Sequence, residues 1–270
     1  MVYTGYDART TAKQKEMKPV MIRRLLIIPA LLLLMPFFAA CSLWEDDETD
    51  DPVVEESATP TPTPEPLTGE TVLSGAAEQW SATESVHFLL DAQGDTFLDA
   101  DRNIRLISAE GDLARPDAVE ATARVDVTVA TVPVELIVIG EDAYLTNFIS
   151  GNWERAPDDF SYNPALLFND TDGLGPIMED IQNPELDGTE SVDGRSAHRV
   201  TGIVTEEQID DITAGSISGE NIDVTLWIAE DNFEVLRLVI SAPPIEDTGE
   251  TTWDLTFTDH NADVEIEAPI

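Results

Sequence analysis

Apolar positions along this chain recur with two different periods, and the change from one to the other marks its elements. Val72, Leu73, Ala76 and Trp80 fall at helical spacing and share one face, which predicts a helix opening the folded region. From Val86 the period becomes two: Val86, Phe88 and Leu90 alternate with His87 and Leu89. The alternation is cleanest over 119–129. Val119, Ala121, Ala123, Val125, Val127 and Val129 hold one phase, and Glu120, Thr122, Arg124, Asp126 and Thr128 the other. That pattern predicts an antiparallel strand with one dry and one wet face. Residues 132–139 (VPVELIVI) are apolar on nearly both phases, which predicts a strand covered on each side. Gly140-Glu141-Asp142 then turns the chain into Ala143-Tyr144-Leu145, a hairpin signal.

A helical interlude follows. Asn163 precedes Pro164, and proline suits the first position of a helix; Ala165, Leu166, Leu167 and Phe168 continue it. A second short helix is predicted from Leu174 or Pro176 to Ile181. Thr205-Glu206-Glu207-Gln208 reads as a capping box for a third, with Ile209 and Ile212 inward. Strands resume at 222–229, 234–241 and 251–258, and a short strand is predicted at Asp263–Glu267. In the stretch 251–258, Trp253, Leu255 and Phe257 alternate with polar residues. Nine to eleven strands in hairpin series with a few helices predict an α+β fold: a large antiparallel sheet with helices on one face.

The segment ahead of this region is organised differently. An apolar run from Leu25 to Phe38 follows Lys18, Arg23 and Arg24 and closes on Ala39, Ala40 and Cys41, the single cysteine of the chain. A basic flank, a short apolar stretch and small residues make a secretory signal peptide. The cysteine directly after the small pair makes 1–40 resemble a bacterial lipoprotein signal, in which the thiol is acylated and becomes the new N-terminus. Phe38 stands where that motif usually carries an aliphatic residue. A plain signal peptide also fits the run but leaves Cys41 a coincidence. A membrane span needs about 20 apolar residues, more than this proline-interrupted run supplies, and Cys41 has no partner for a disulfide. Residues 1–16 are superfluous for export, so Met17 or Met21 is the more economical start. Residues 41–67 carry acidic clusters and the run Thr59 to Pro66, TPTPTPEP. They lack the apolar residues to bury, and the Thr-Pro repeat favours extended polyproline II, so they read as a stalk. One folded domain, 68–270, follows.

Charge sharpens the picture. The chain has 14 basic and 54 acidic residues. Six of the basic and two of the acidic ones precede Cys41, leaving eight basic and 52 acidic residues beyond it, a net charge of −44. All eight are arginines. A field of this sign excludes nucleic acid as a partner and gives no electrostatic hold on an anionic leaflet. Membrane residence therefore falls to the anchor.

Candidate chemistry is sparse. His87, His198 and His260 are scattered. Gly215-Ser216-Ile217-Ser218-Gly219 has isoleucine where a nucleophile elbow needs serine. Asn169-Asp170-Thr171-Asp172-Gly173 has the oxygen donors of a calcium loop but lacks the full spacing and the distal glutamate. No catalytic role can be assigned, and the expectation is a protein that is not an enzyme, without cofactor or metal.

Several stretches together resemble the LppX/LprAFG lipoprotein family, best known from mycobacterial envelopes. They are Glu110-Gly111-Asp112-Leu113 with Pro116 after it, Val134 to Trp153 (VELIVIGEDAYLTNFISGNW), Asn163 to Leu167, Gly188 to Gly194, Val224 to Ile228 and Val264 to Pro269. The resemblance spans nearly all of 68–270 in the family's order. It implies a strongly curved, half-open β-barrel with helices on the concave face and an apolar cavity between them that takes the acyl chains of envelope lipids. It carries over no site residue beyond Cys41. Lining candidates, chosen by pattern, are Phe88, Leu90, Val125, Val127, Leu136, Val138, Leu226 and Ile228 on strands, with Trp80, Leu167 and Ile177 facing them from helices. Alternating residues of this kind are also ordinary core. The expectation is a monomer held on the outer face of the membrane by a diacylglycerol on Cys41, with a membrane lipid or glycolipid as ligand. A stalked adhesion or sensory module, binding another envelope protein without transporting lipid, is the alternative.

Overall fold

Residues 66–98, 103–127, 130–157, 160, 163–244 and 249–269 are described by a computed structural model. The signal segment, Cys41 and the stalk up to residue 65 lie outside them. The first helix, α1 (Gly69–Ser81), begins where Thr68 and Thr71 cap one another: each side chain bonds the other's backbone. Its buried face holds Val72, Leu73, Ala76, Ala77 and Trp80, the predicted set with Ala77 added.

Among the described residues, eleven strands then form one antiparallel sheet. In chain order they are β1 (Ser85–Gln93), β2 (Arg105–Ala114), β3 (Ala118–Val127), β4 (Ala130–Ile139), β5 (Asp142–Thr146), β6 (Trp153–Arg155), β7 (Gln182–Val192), β8 (Arg195–Val204), β9 (Ile222–Ala229), β10 (Val235–Ala242) and β11 (Thr251–Thr258). Their spatial order is β6-β5-β4-β3-β2-β1-β11-β10-β9-β8-β7. Two meanders are thus joined at the centre, where β1 pairs with β11 and sets Phe88 opposite Phe257 and Leu90 opposite Leu255. The sheet is not closed, because β6 and β7 lie at opposite edges. Yet they are consecutive in the chain, so 156–181 must cross from one edge to the other. That crossing carries a 3-10 turn (Pro164–Phe168) and α2 (Leu174–Glu179); α3 (Glu206–Thr213) is inserted between β8 and β9. The result is a half-open barrel with its helices on the concave face. Register shifts in β2/β3, β7/β8 and β9/β10 add to the twist that curls such a sheet.

Four local expectations need correction. The Pro164 helix is a 3-10 turn, and α2 stops at Glu179 rather than Ile181. The strand over 132–139 is covered on both faces only at Leu136, Ile137 and Val138; nearer its start the outer face is open. Asp263–Glu267 is not a strand. Asp259 and Asn261 take positive φ, Asn261 Oδ1 accepts from Glu84 N at 2.8 Å and Ser85 Oγ donates to Ala262 O at 2.5 Å. The chain is pinned beside β1, whose two edges are already occupied by β2 and β11, so no edge is free there to accept a further strand.

Candidate functional site

Alternate positions of nearly every strand point to the concave side and merge with the helices into one apolar cluster running from Leu136 and Val138 on β4 to Val200 and Val204 on β8. The pattern-chosen candidates Trp80, Phe88, Leu90, Val125, Leu136, Val138, Leu167, Ile177, Leu226 and Ile228 are all buried in it, and Val127 is partly buried against it. The structure therefore brings the whole set to one surface. Within it lies an apolar void of about 10 Å³ between the central strands and the crossing segment, room for about one water. Phe88, Leu90 and Leu167 line it, together with Pro164, Ile212, Leu238, Ile240, Trp253 and Leu255. None of these last six was a lining candidate in the sequence: Pro164 was read only as a helix start, and the other five were not chosen. Their signals were present in the period-two alternation of β10 and β11 and in the inward face of α3. What the alternation lacked was the order of strands, which puts β10 and β11 at the centre.

Helices and sheet are closed on each other through a few polar ties over this apolar contact. Trp80 Nε1 donates to Leu167 O at 2.9 Å, joining α1 to the 3-10 turn. The Trp80 ring packs on Phe168 and Phe257, with centroids 5.2 and 5.1 Å away. Arg115, in the β2–β3 turn, donates to Thr83 O at 2.9 Å, Phe168 O at 2.7 Å and Trp80 O at 3.3 Å. Its guanidinium also lies 4.8 Å from the centre of the Phe168 ring. A cation here satisfies carbonyls at the C-terminal ends of two helical segments, where their partial charge is negative. Gln208 Nε2 donates to Asp180 O at 3.1 Å, tying α3 to the end of α2. Arg115 was not among the sequence candidates, because a lone arginine in a turn carries no pattern.

The remaining candidate chemistry is absorbed by structure. Asn169 Oδ1 accepts from Thr171 N and Asp172 N at 2.7 and 3.0 Å, and Asp170 pairs with Arg115 at 3.1 Å. The calcium-like loop is thus a turn with a cation already beside it. Among the described residues no three His, Cys, Asp or Glu side chains converge as metal ligands. His87 pairs with Asp112 at 2.9 Å on the outer face. The His260 side chain is buried, its Nε2 3.1 Å from Val235 O, and that burial lowers its pKa. The outer face also carries a groove of about 280 Å³ over Trp227. Arg237 stacks 4.7 Å from that ring, Trp227 Nε1 donates to Glu190 at 2.8 Å, and Arg237 is held by Asp254 at 2.8 and 2.5 Å. These groups satisfy one another. No described helix is long and apolar enough to cross a membrane.

Comparison with known proteins gives a consistent result. The LppX_LprAFG lipoprotein family matches residues 68–266. The lipoarabinomannan carrier protein LprG of Mycolicibacterium smegmatis is 25% identical over 214 residues, covering 74% of this chain and 83% of LprG. Among solved structures, LprF from Mycobacterium bovis superposes with a TM-score of 0.60 at 21% identity, over 74% of this chain and 96% of LprF. Lipoprotein LppX of Mycobacterium tuberculosis gives 0.53 at 21% identity, over 74% and 98%.

Proposed function

Because the chain belongs to the LppX_LprAFG lipoprotein family, we propose that it is a non-enzymatic lipid carrier of the cell envelope, tethered to the outer face of the membrane by a diacylglycerol on Cys41. Its ligand is a diacyl lipid or glycolipid whose chains lie between the sheet and the helices. The observation that carries this reading is the continuous apolar surface of the concave face, covered by short helical segments held through few polar ties. The LprG relative is named as a lipoarabinomannan carrier.

A void of about 10 Å³ is far below the about 300–1,000 Å³ of a typical ligand pocket. Binding therefore requires the crossing segment to lift from the sheet, and the closed arrangement is the empty state. Acyl chains then replace helix–sheet contacts with contacts of the same kind, so uptake exchanges one apolar burial for another. The excess of carboxylates favours an uncharged or zwitterionic headgroup over an anionic one.

The test is mass spectrometry of lipid extracted from the protein purified from its own membrane, paired with binding of a fluorescent diacyl phosphatidylcholine. Co-purified diacyl lipid and saturable binding are expected. A protein that yields neither is not a carrier. For the anchor, Cys41→Ser is expected to move the protein from the membrane to the soluble fraction; retention would refute acylation.

A further inference from the structure

The tip joining β5 to β6 is built unlike the rest of the surface. Ile149 is 84% exposed and Phe148 54% exposed, the two most exposed large apolar residues among those described. They sit in the longest run without a charged residue past Glu45, the eleven residues from Ala143 to Trp153. One residue in four of this chain is charged, so such a run is unusual at an exposed turn. The turn is also held rigid. Asn147 N donates to Asn152 O at 2.8 Å, and Gly151 N donates to Asn147 O at 2.7 Å. Asn147 Oδ1 accepts from Ile149 N and Ser150 N at 2.9 and 3.1 Å. Gly151 takes φ +70° with open space around it. Most backbone N–H groups of the tip are thus paired within the turn, which lowers the cost of moving it into a less polar medium. Trp153, a residue type that settles at membrane–water interfaces, stands half-buried at the base of the turn, opposite Thr146.

We propose that Phe148 and Ile149 enter the interfacial layer of an uncharged bilayer and so hold the β6 edge of the open sheet against the membrane. Two side chains on a hairpin tip offer far less than the about 800 Å² per partner that a stable protein interface buries. A bilayer closes around whatever enters it and sets no such minimum. The absence of charge on the tip fits zwitterionic headgroups, whereas the carboxylates elsewhere keep other faces away from an anionic surface. The 24 residues between Cys41 and Pro66 can reach at most about 85 Å, so the tether alone does not select which face meets the membrane. The inference takes from the proposed function only that the domain works beside a membrane.

The test supplies its own tether and needs neither acylation nor lipid carriage. The fragment Pro62–Ile270 contains the whole sheet and its core and forms one compact unit, and it has no cysteine. An N-terminal hexahistidine holds it on phosphatidylcholine vesicles doped with a nickel-chelating lipid. Ile149→Cys and, as control in the neighbouring turn, Glu141→Cys are each labelled with an environment-sensitive fluorophore. Lipid-borne nitroxide is expected to quench the label at 149 several-fold more than the label at 141, with a blue-shifted emission. Adding Phe148→Ser is expected to weaken that quenching while circular dichroism stays unchanged. Equal quenching at the two positions overturns the proposal. So does shielding of position 149 that grows with protein concentration in the absence of vesicles, which would mark the tip as a contact between copies.

Discussion

The indole Nε1 of Trp80 and the carbonyl oxygen of Leu167 are 2.9 Å apart, and this bond joins the first helix directly to the segment that crosses the concave face. Both residues are buried, so neither group has water as an alternative partner. Trp80→Phe keeps an aromatic ring against Phe168 and Phe257 but leaves the Leu167 carbonyl unpaired. A loss of about 1–3 kcal/mol is expected, measured by urea unfolding. If the helix layer is the gate, the same variant binds fluorescent phosphatidylcholine faster than the parent. Unchanged stability would mean that the carbonyl finds another donor.

Arg115 ends three backbone carbonyls at once. Arg115→Ala is expected to speed amide exchange in 164–179 more than in the central strands β1 and β11. Arg115→Lys should not restore protection, because an ammonium group cannot span acceptors that the planar guanidinium fork reaches together. Full protection in the lysine variant would show that charge alone holds the segment.

Gly111 faces the concave side of β2, where a Cβ would lie 2.1 Å from Glu120 O and 2.7 Å from the Ala121 side chain. Strands β2 and β3 approach there more closely than any side chain permits. Gly111→Val should therefore destabilise by about 1–3 kcal/mol through overpacking, or prevent folding. Unaltered thermal unfolding would show that the sheet can flatten at this point.

His260 has its pKa lowered, mainly by burial and against the opposing pull of Glu234. The folded state therefore resists a proton that the unfolded chain accepts below about pH 6.5. The unfolded state binds more protons in that window, so this residue's contribution to stability falls as pH drops through it. His260→Gln removes the titration while keeping a donor for Val235 O. The stability of the parent minus that of the variant is expected to fall between about pH 7.5 and about pH 5.5; a flat difference would show that His260 does not titrate there. Taking the difference cancels the general relief of carboxylate repulsion on acidification.

Much of the fold was legible because local pattern and burial agree in the strands near the centre. Phe88, Leu90, Val125, Leu226, Trp253 and Phe257 sit on the phase that the alternation assigned to the dry face, and all are buried. Strand β7 was not legible: it lies at an edge and is exposed along most of its length, so nothing selected apolar residues at alternate positions. The pinned end at Asp263–Glu267 misled for the opposite reason, since Val264 and Ile266 alternate with acids as a strand would while no sheet edge is free to receive them. Arg115 and the Asn147 turn were invisible because each depends on partners far along the chain or on the conformation of a loop.

The sequence by itself determined which residues turn inward and which outward, the antiparallel hairpin character of the sheet, and the acidic surface, because these follow from spacing and side-chain chemistry. Only the tertiary structure decided how the two meanders join through β1 and β11, that β6 and β7 end at opposite edges, and that the chain between them must close the concave face. Those relations depend on pairing across long separations, where hydrogen-bonding edges and the twist of the sheet select among arrangements that the local pattern leaves equal.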